Sequence, residues 1–290
     1  MIKIFKYFIQ AILIYFFYII IKIIGLNISR KLFSTIFRIF GPLIKSKTII
    51  NDNLQKVLGA TSDEKKEKII SNMWSNYGKI FVEYIFLNKF KKSSLHINLV
   101  KGEEILSKIK DKNKPVIFIS GHFANFELMS MEITKRNINL ATIYRPLNNV
   151  FLNPFMEKIR KKYVCENQIK KGISGIRDSI NYIKNNYSIA LMIDQRVSEG
   201  KSLPFFNYKA LTTTLPAQLA LRFSCDIVPV FLYRKDDNNF EMEIYEPISV
   251  AGKSNTDLNK LEISLHLNQI LEKMVLKNPE QWIWTHNRWK

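Results

Sequence analysis

The sequence has few residues of the kinds that build disulfide frameworks, metal centres or phosphate loops. Cys165 and Cys225 are its only cysteines, and they stand far apart with no C-x-x-C pairing. This spacing excludes a disulfide framework and a cysteine zinc site. No G-x-S-x-G, Walker-type or G-x-G-x-x-G pattern occurs, so the signals of a serine-hydrolase elbow, a P-loop and a dinucleotide-binding turn are missing.

Acidic residues are absent from the start of the chain, where the first is Asp52. The whole sequence has 44 Lys+Arg against 25 Asp+Glu, a formal net charge of +19. So large an excess predicts an acidic partner, which could be nucleic acid, an anionic membrane surface or an acidic protein. With 290 residues, 47% of them hydrophobic, the chain can bury a substantial core.

The N-terminus carries the longest uncharged run. Residues 7–21, YFIQAILIYFFYIII, contain no charge, and Lys22 interrupts before apolar residues continue to Leu26. About 20 residues span a bilayer core, so this segment is long enough if Lys22 reaches the interface. No small-residue cleavage site of a signal peptide follows. We expect a membrane-anchor helix over residues 1–28, the alternative being a hydrophobic helix docked on the protein's own core.

Basic residues lie on both sides of this run. Lys3 and Lys6 precede it, and five more follow: Arg30, Lys31, Arg38, Lys45 and Lys47. The positive-inside rule therefore favours a cytoplasmic main domain. Residues 29–44 have the pattern of a basic amphipathic helix that lies along an anionic surface. We predict an anchor over 1–28, a basic membrane-proximal segment over 29–61 and a catalytic domain over 62–290.

Strand and helix patterns alternate from residue 114 onward. Strands are predicted at 115–120, 139–144, 189–193, 227–233 and 240–246, with helices near 125–136, 149–163, 173–185 and 213–224. A long helix is also predicted over 62–90, and its Glu83 fits either a buried site residue or a helix-surface carboxylate. The alternation predicts an α/β fold with a largely parallel sheet flanked by helices. Such sheets have their sites beyond the carboxyl ends of the strands.

The stretch PVIFISGHFANFE, residues 115–127, joins a buried strand to a helix through Gly121. His122 and Glu127 are five residues apart and would not share a face of one helix, but a strand–turn–helix junction lets them meet. A neutral imidazole oriented by a carboxylate can take a proton from a hydroxyl. No serine or cysteine nucleophile stands in the motif, so the hydroxyl would be the substrate's own. The alternative is a helix-capping histidine beside a surface glutamate.

Polar residues also follow the next two strands, and the carboxyl ends of parallel strands share one edge. Arg145 comes after the second strand, and Asp194 and Gln195 come after the third. Arg145 could clamp a phosphate, stabilise an oxyanion or pair with a surface carboxylate. Asp194 could orient a neighbouring donor or cap a loop. Phe205 and Phe206 offer apolar surface for an acyl chain, unless they pack a lid or core.

The C-terminal stretch QWIWTHNRW interleaves tryptophans with basic residues. This composition is compatible with nucleic-acid binding, with a membrane interface, or with a docked terminus that buries its tryptophans.

Taken in order, these motifs resemble one family over nearly the whole chain, the lipid A biosynthesis acyltransferases (lauroyl/myristoyl transferases of Gram-negative inner membranes). The resemblance covers the N-terminal hydrophobic segment and the NL-x-x-x-L segment at Asn53. It continues with GHFANFE, YRPLNN, the Asp194-Gln195 pair, PFF at 204–206, the threonine-rich turn 212–214 and QWIWTHNRW. The H-x-x-x-x-E motif alone is modestly specific, whereas the ordered set is highly specific.

The resemblance implies transfer of a fatty acyl group from acyl carrier protein to a hydroxyl of a lipid A precursor, without metal or bound cofactor. By motif, His122 would be the base and Glu127 its orienting partner. Arg145 would contact the substrate or the transition state, and Asp194 would be a site residue. The enzyme would sit in the bacterial inner membrane, facing the cytoplasm, with no nucleic-acid partner.

Two positions depart from the family pattern, and other functions stay open. Phe126 stands where tryptophan is usual, and Asn207 where glycine is common, which affects acyl-chain length and acceptor detail. The acceptor could instead be glycosylated phosphatidylinositol or an aminolipid. A basic, membrane-attached nucleic-acid-binding protein would account for the charge but not for the polar residues at three strand ends. A metal hydrolase using His122 and Glu127 has no evident third ligand.

Overall fold

The computed structural model describes residues 2–93, 96–236 and 239–290. The helices are α1 (Ile2–Ile24), α2 (Leu26–Ile44), α3 (Lys47–Leu58), α4 (Asp63–Glu83), α5 (Leu87–Lys92), α6 (Glu103–Lys112), α7 (Glu127–Lys135), α8 (Asn153–Ile159), α9 (Ile173–Lys184), α10 (Leu215–Phe223) and α11 (Asp257–Lys277). The strands are β1 (Ile97–Lys101), β2 (Ile117–Ser120), β3 (Leu140–Tyr144), β4 (Asn167–Lys170), β5 (Ser188–Met192), β6 (Lys201–Phe205), β7 (Tyr208–Thr212), β8 (Ile227–Arg234) and β9 (Phe240–Ile244).

Seven strands form one sheet in the order β1-β9-β8-β2-β5-β3-β4. All neighbouring pairs are parallel except β8 and β9. Central strand β2 reads IFIS and is buried along its whole length, as expected for a parallel strand covered on both faces. The predicted α/β fold with a largely parallel sheet flanked by helices is confirmed, and the apolar N-terminal helix is present.

Several elements were not predicted from the sequence, among them the helices α3, α6 and α11. The edge strands β1 and β4 are short, and β4 reads NQIK with a single buried residue, so neither has a strong strand pattern. The hairpin β6–β7 forms a separate two-stranded sheet. The helix expected over 149–163 begins at Asn153 and changes after Ile159 into a π-helical turn, Arg160–Val164.

Helix α1 is long and apolar enough to cross a membrane, with a mean hydropathy of 2.2 in its most apolar window and only 11% of that window buried. One side nevertheless contacts the rest of the protein. The Tyr15 hydroxyl donates to the carbonyl of Phe151 at 3.0 Å, and the ring of Phe17 packs edge-on against Phe33 of α2. The other side exposes large apolar side chains, among them Phe5, Ile9, Ile12, Phe16, Ile19 and Ile23.

Helix α2 packs closely on α4 because Gly78 has no side chain. A Cβ at Gly78 would lie 2.2 Å from the carbonyl oxygen of Phe33, which is far inside van der Waals contact. The two helices therefore approach to backbone contact at this point, which ties α2 firmly to α4.

A buried charge cluster centred on Glu83 joins four separate segments. Glu83, at the end of α4, has no exposed surface. Its carboxylate accepts hydrogen bonds from Arg30 Nε of α2 at 2.8 Å, from Arg234 Nη1 of β8 at 2.7 Å and from Asn125 Nδ2 at 3.0 Å. Burial alone would raise the pKa of Glu83, but Arg234 and Arg30 outweigh it and hold that pKa below its ordinary value. Of the two readings the sequence allowed, the structure therefore shows the buried one.

We expect Glu83→Ala to lower the free energy of unfolding by about 3–5 kcal/mol, because it leaves two buried arginines without their carboxylate. Urea unfolding in detergent measures this loss. The control is Glu67→Ala, an exposed glutamate of the same helix, which should change stability by less than about 0.5 kcal/mol. Equal losses in the two variants would contradict the proposed importance of the cluster. Since the pKa of Glu83 is depressed, its stabilisation is present above the unfolded-state pKa and is lost as pH falls.

Candidate functional site

The sheet order places His122 opposite Asp194. Strands β2 and β5 are neighbours, and Ser120 pairs with Met192 in their parallel register. The ladder continues one step, since the Ile193 N–H donates to the Ser120 carbonyl at 2.9 Å. His122 and Asp194 each lie two residues beyond a paired position, so both side chains meet beyond the carboxyl ends of β2 and β5.

The turn after β2 requires a glycine. The Phe123 N–H donates to the Gly121 carbonyl at 2.9 Å, which closes a tight turn around His122. A Cβ on Gly121 would lie 2.7 Å from the Phe123 ring and 3.2 Å from Asp194 Oδ2. Ala124 then adopts a left-handed φ of 41°, and its N–H donates to the carbonyl of Gln281 in the C-terminal segment. The turn is therefore fixed from two sides.

Asp194 is fully buried and accepts three hydrogen bonds. His122 Nδ1 donates to Oδ1 at 2.7 Å, while the His122 backbone N–H and Trp282 Nε1 donate to Oδ2 at 2.7 and 2.9 Å. An ionised carboxylate only accepts, so the proton of the neutral ring is on Nδ1 and Nε2 carries the free lone pair. Burial alone would raise the pKa of Asp194, but His122 and the indole of Trp282 hold it below its ordinary value.

The expected pairing of His122 with Glu127 is corrected by this geometry. Glu127 is the first residue of α7, and its Oε1 accepts from the Tyr84 hydroxyl at 2.7 Å and from Arg160 Nε at 2.7 Å. Arg160 Nη2 lies 2.6 Å from the same oxygen. The carboxylate on Nδ1 of His122 is that of Asp194, whereas Glu127 positions Arg160.

Arg160 reaches the site because the chain forms a π-helical turn at this point. It stands at the start of the Arg160–Val164 turn, with only 8% of its surface exposed and its guanidinium above the Tyr144 ring. Proximity to Glu127 raises the pKa of Arg160 above its ordinary value despite burial, so it stays charged. Sequence patterns did not indicate Arg160 or Tyr84. The available signal was an arginine at the end of an amphipathic helix, which is common on protein surfaces.

Two cavities meet at His122. An apolar cavity of about 350 Å³ is lined by Ile14 and Tyr18 of α1, by Phe37 of α2, by Tyr77, Ile80, Phe81 and Tyr84, and by Leu152 and Met156. A polar cavity of about 460 Å³ is lined by residues that include Lys45, Glu127, Arg145, Arg160, Lys171, Gln195 and His286. His122 and Phe126 line both, and their rings are 4.6 Å apart in an edge-on contact. The histidine therefore stands between an apolar compartment and a cationic one.

The remaining residues selected from the sequence divide into two groups. Arg145 and Gln195 line the polar cavity. Phe205 is fully buried and stacks on Trp289, and Phe206 packs beside it at the turn of the β6–β7 hairpin. Neither phenylalanine lines either cavity, so their prediction as acyl-chain contacts is corrected. Asp194, which the sequence suggested could orient a neighbouring donor or cap a loop, lies behind His122 and accepts a hydrogen bond from its ring.

The C-terminal segment is docked against the site. Trp282 and Trp284 are buried, and Asn53 Nδ2 of α3 donates to the carbonyls of Trp284 and His286 at 2.8 Å each. Burial lowers the pKa of His286 to about 4, so the ring is neutral at pH 7, and its Nε2 accepts from the Arg196 N–H. Within the described ranges, no three His, Cys, Asp or Glu side chains lie close enough to hold a metal ion.

The chain is similar to known proteins over most of its length. A family model described as "Bacterial lipid A biosynthesis acyltransferase" matches residues 2–290. The chain is 26% identical over 254 residues to the lipid A biosynthesis palmitoleoyltransferase of Escherichia coli (strain K12), covering 86% of this chain and 80% of that protein. It is 21% identical over 248 residues to the lipid A biosynthesis lauroyltransferase of the same strain, covering 83% and 78%.

We expect Gly121→Ala to disrupt the contact between His122 and Asp194, because the added methyl group meets the Phe123 ring and the carboxylate. Overpacking of this kind costs about 1–3 kcal/mol. Proton NMR of the His122 Nδ1–H resonance, together with thermal unfolding, measures both effects. Ser120→Ala, one residue earlier, adds no atom and serves as the control. An unchanged resonance in Gly121→Ala would show that the turn has room for a side chain.

Proposed function

Because the chain belongs to the bacterial lipid A biosynthesis acyltransferases, we propose that it transfers a fatty acyl group from acyl carrier protein to a hydroxyl of a lipid A precursor. The observation that carries this proposal is the position of His122 between an apolar and a cationic cavity. An acyl transferase needs such a junction, since it joins a hydrocarbon chain to a polar headgroup. Two similar proteins are a palmitoleoyltransferase and a lauroyltransferase.

The proposed reaction is a direct transfer with His122 as general base. Nε2 takes the proton of the acceptor hydroxyl while that oxygen attacks the thioester carbonyl. The tetrahedral intermediate collapses, the C–S bond breaks, and the imidazolium returns its proton to the leaving thiolate. Asp194 keeps the proton on Nδ1 and stabilises the imidazolium, as the carboxylate does in a serine-protease triad. The products are the new ester and the free thiol of the carrier.

Glu127 acts in this proposal through Arg160. Nε and Nη2 of Arg160 lie 2.7 and 2.6 Å from Oε1 of Glu127. The guanidinium is part of the wall of the polar cavity. A fixed positive charge there stabilises the negative charge that develops on the carbonyl oxygen. Glu127 is therefore a positioning residue for Arg160.

The acyl chain would lie in the apolar cavity, whose wall includes the first helix. Ile14 and Tyr18 of α1 face this cavity, while the opposite side of the helix exposes Ile12, Phe16 and Ile19. We place that outer side, with the exposed apolar residues of α2, in the bacterial inner membrane and the sheet domain on its cytoplasmic side. The segment 1–28 would then serve both as the anchor and as part of the acyl site.

Charge favours a protein as the acyl donor. Acyl carrier protein is acidic, and the chain has 44 Lys+Arg against 25 Asp+Glu. Complementary charge raises the encounter rate of two proteins, and the gain falls as salt screens it.

We expect His122→Ala to lower turnover by roughly 10²–10⁴-fold, the usual contribution of a general base. Asp194→Asn should fall in the same direction, and the double variant should be little worse than His122→Ala, because the two residues act as one unit. Glu127→Gln should also lose activity, but through Arg160. Its fold-loss should therefore multiply that of His122→Ala when the two changes are combined. Mass spectrometry of the acylated product measures each rate, with Asp178→Asn on the exposed face of α9 as the control. Near-normal transfer by a folded His122→Ala protein would rule out the mechanism.

We expect Tyr18→Ala to shift the preferred acyl donor toward longer chains, because it removes a wall of the apolar cavity. Each buried methylene contributes about 0.8 kcal/mol, so space for about two more methylenes should raise the ratio of kcat/KM for a 16-carbon over a 12-carbon donor roughly tenfold. The assay is run in detergent, where membrane attachment does not limit the rate. Phe16→Ala, on the outer side of the same helix and 56% exposed, should leave the ratio unchanged. Equal shifts in both variants would show that α1 acts only as an anchor.

A further inference from the structure

The polar cavity beside His122 carries positive charge that is not balanced within it. Its lining contains four cations, Lys45, Arg145, Arg160 and Lys171, and one carboxylate, Glu127. Arg160 is bound to Glu127 at 2.6 Å. Within the described ranges, the side chains of the other three cations make no hydrogen bond and no ion pair.

The fold forces two of these cations together. Strands β3 and β4 are parallel neighbours in which Tyr144 pairs with Lys170, so Arg145 and Lys171 each follow a paired position. The Lys171 N–H also donates to the Tyr144 carbonyl at 2.8 Å, which extends the ladder to that point. Lys45 comes from a third place, just after the end of α2.

Lys45, Arg145 and Lys171 are exposed, so water screens part of the repulsion between them, but no carboxylate is bound among them within the described ranges. Partial desolvation and the charge of Arg145 lower the pKa of Lys171 below its ordinary value, while Glu199 opposes them with a weaker attraction. Like charges that line a cavity next to the catalytic group without a bound carboxylate are expected where a ligand supplies the missing charge. The missing charge here is negative.

We propose that Lys45, Arg145 and Lys171 form a phosphate-binding subsite beside His122. Arginine can bind two phosphate oxygens at once, and lysines add point charges around them. This inference rests on the proposed function, in which both substrates carry phosphate. The lipid A precursor is a phosphorylated glycolipid, and the carrier protein holds its acyl chain through a phosphopantetheine diester.

Substrates with and without phosphate distinguish the two sources. KM is measured in detergent for the phosphorylated acceptor and for the same acceptor after phosphatase treatment. It is also measured for acyl carrier protein and for an acyl-N-acetylcysteamine thioester, which has no phosphate. Lys45→Ala and Lys171→Ala should each raise KM about tenfold for one phosphate-bearing substrate, since a charge-assisted hydrogen bond is lost. Whichever substrate responds is the one held in the subsite.

Matched variants separate binding from folding. Lys171→Arg should keep most of the affinity because it keeps the charge. Lys184→Ala, at the other end of α9 and exposed, should change no KM. Because the side chains of Lys45 and Lys171 have no partners among the described residues, their alanine variants should unfold at the wild-type temperature or above it.

A direct binding measurement keeps this inference separate from the proposed function. Calorimetry of the wild-type protein with inorganic pyrophosphate should detect binding that Lys171→Ala weakens about tenfold. If the wild-type protein binds pyrophosphate in this way but acylates no lipid, the proposed function fails and the subsite stands. If the protein is active, but the alanine variants change KM equally for phosphate-bearing and phosphate-free substrates or not at all, the subsite is wrong.

Discussion

The three hydrogen bonds of the buried Asp194 carboxylate hold the site together. They come from the His122 ring, from the His122 backbone and from the indole of Trp282, and they leave no polar atom of the carboxylate unsatisfied. A buried carboxylate without such partners would cost several kcal/mol. The turn after β2, the end of β5 and the C-terminal segment are therefore each fixed by the need to satisfy one anion. The same contacts set the tautomer of the histidine.

A second buried anion extends this dependence to the N-terminal helices. Glu83 binds Asn125, three residues after His122, and also binds Arg30 on α2. Helix α2, which exposes apolar residues, and the turn that carries His122 are thus joined by one charge cluster. Loss of the cluster is expected to disturb both, because a buried ion network of this kind breaks as a unit.

The sequence predicted which residues lie at the carboxyl edge of the sheet, but not which of them are hydrogen-bonded to each other. The alternation of strands and helices predicted that His122 and Asp194 would lie at one edge. Their bond depends on β5 lying beside β2 and on the Ser120–Met192 register, and neither follows from periodicity. Spacing in the motif suggested Glu127 instead. Arg160 was missed because a π-helical turn has no reliable sequence signal, and Phe205 was misassigned because a buried aromatic and an acyl-chain contact have the same composition.

Composition alone could not show whether helix α1 is a membrane anchor, part of the wall of the apolar cavity, or both. Its residues 11–21 carry no charged or amide side chain, so no polar stripe marks which side of this stretch faces protein. The tertiary contacts of Tyr15 and Phe17 decide that, and they direct Tyr18 toward the cavity. In the proposed function, α1 would give a hydrocarbon chain an apolar route from the membrane to the cavity. Under that proposal, the apolar stretch of residues 11–21 serves the reaction as well as the proposed attachment.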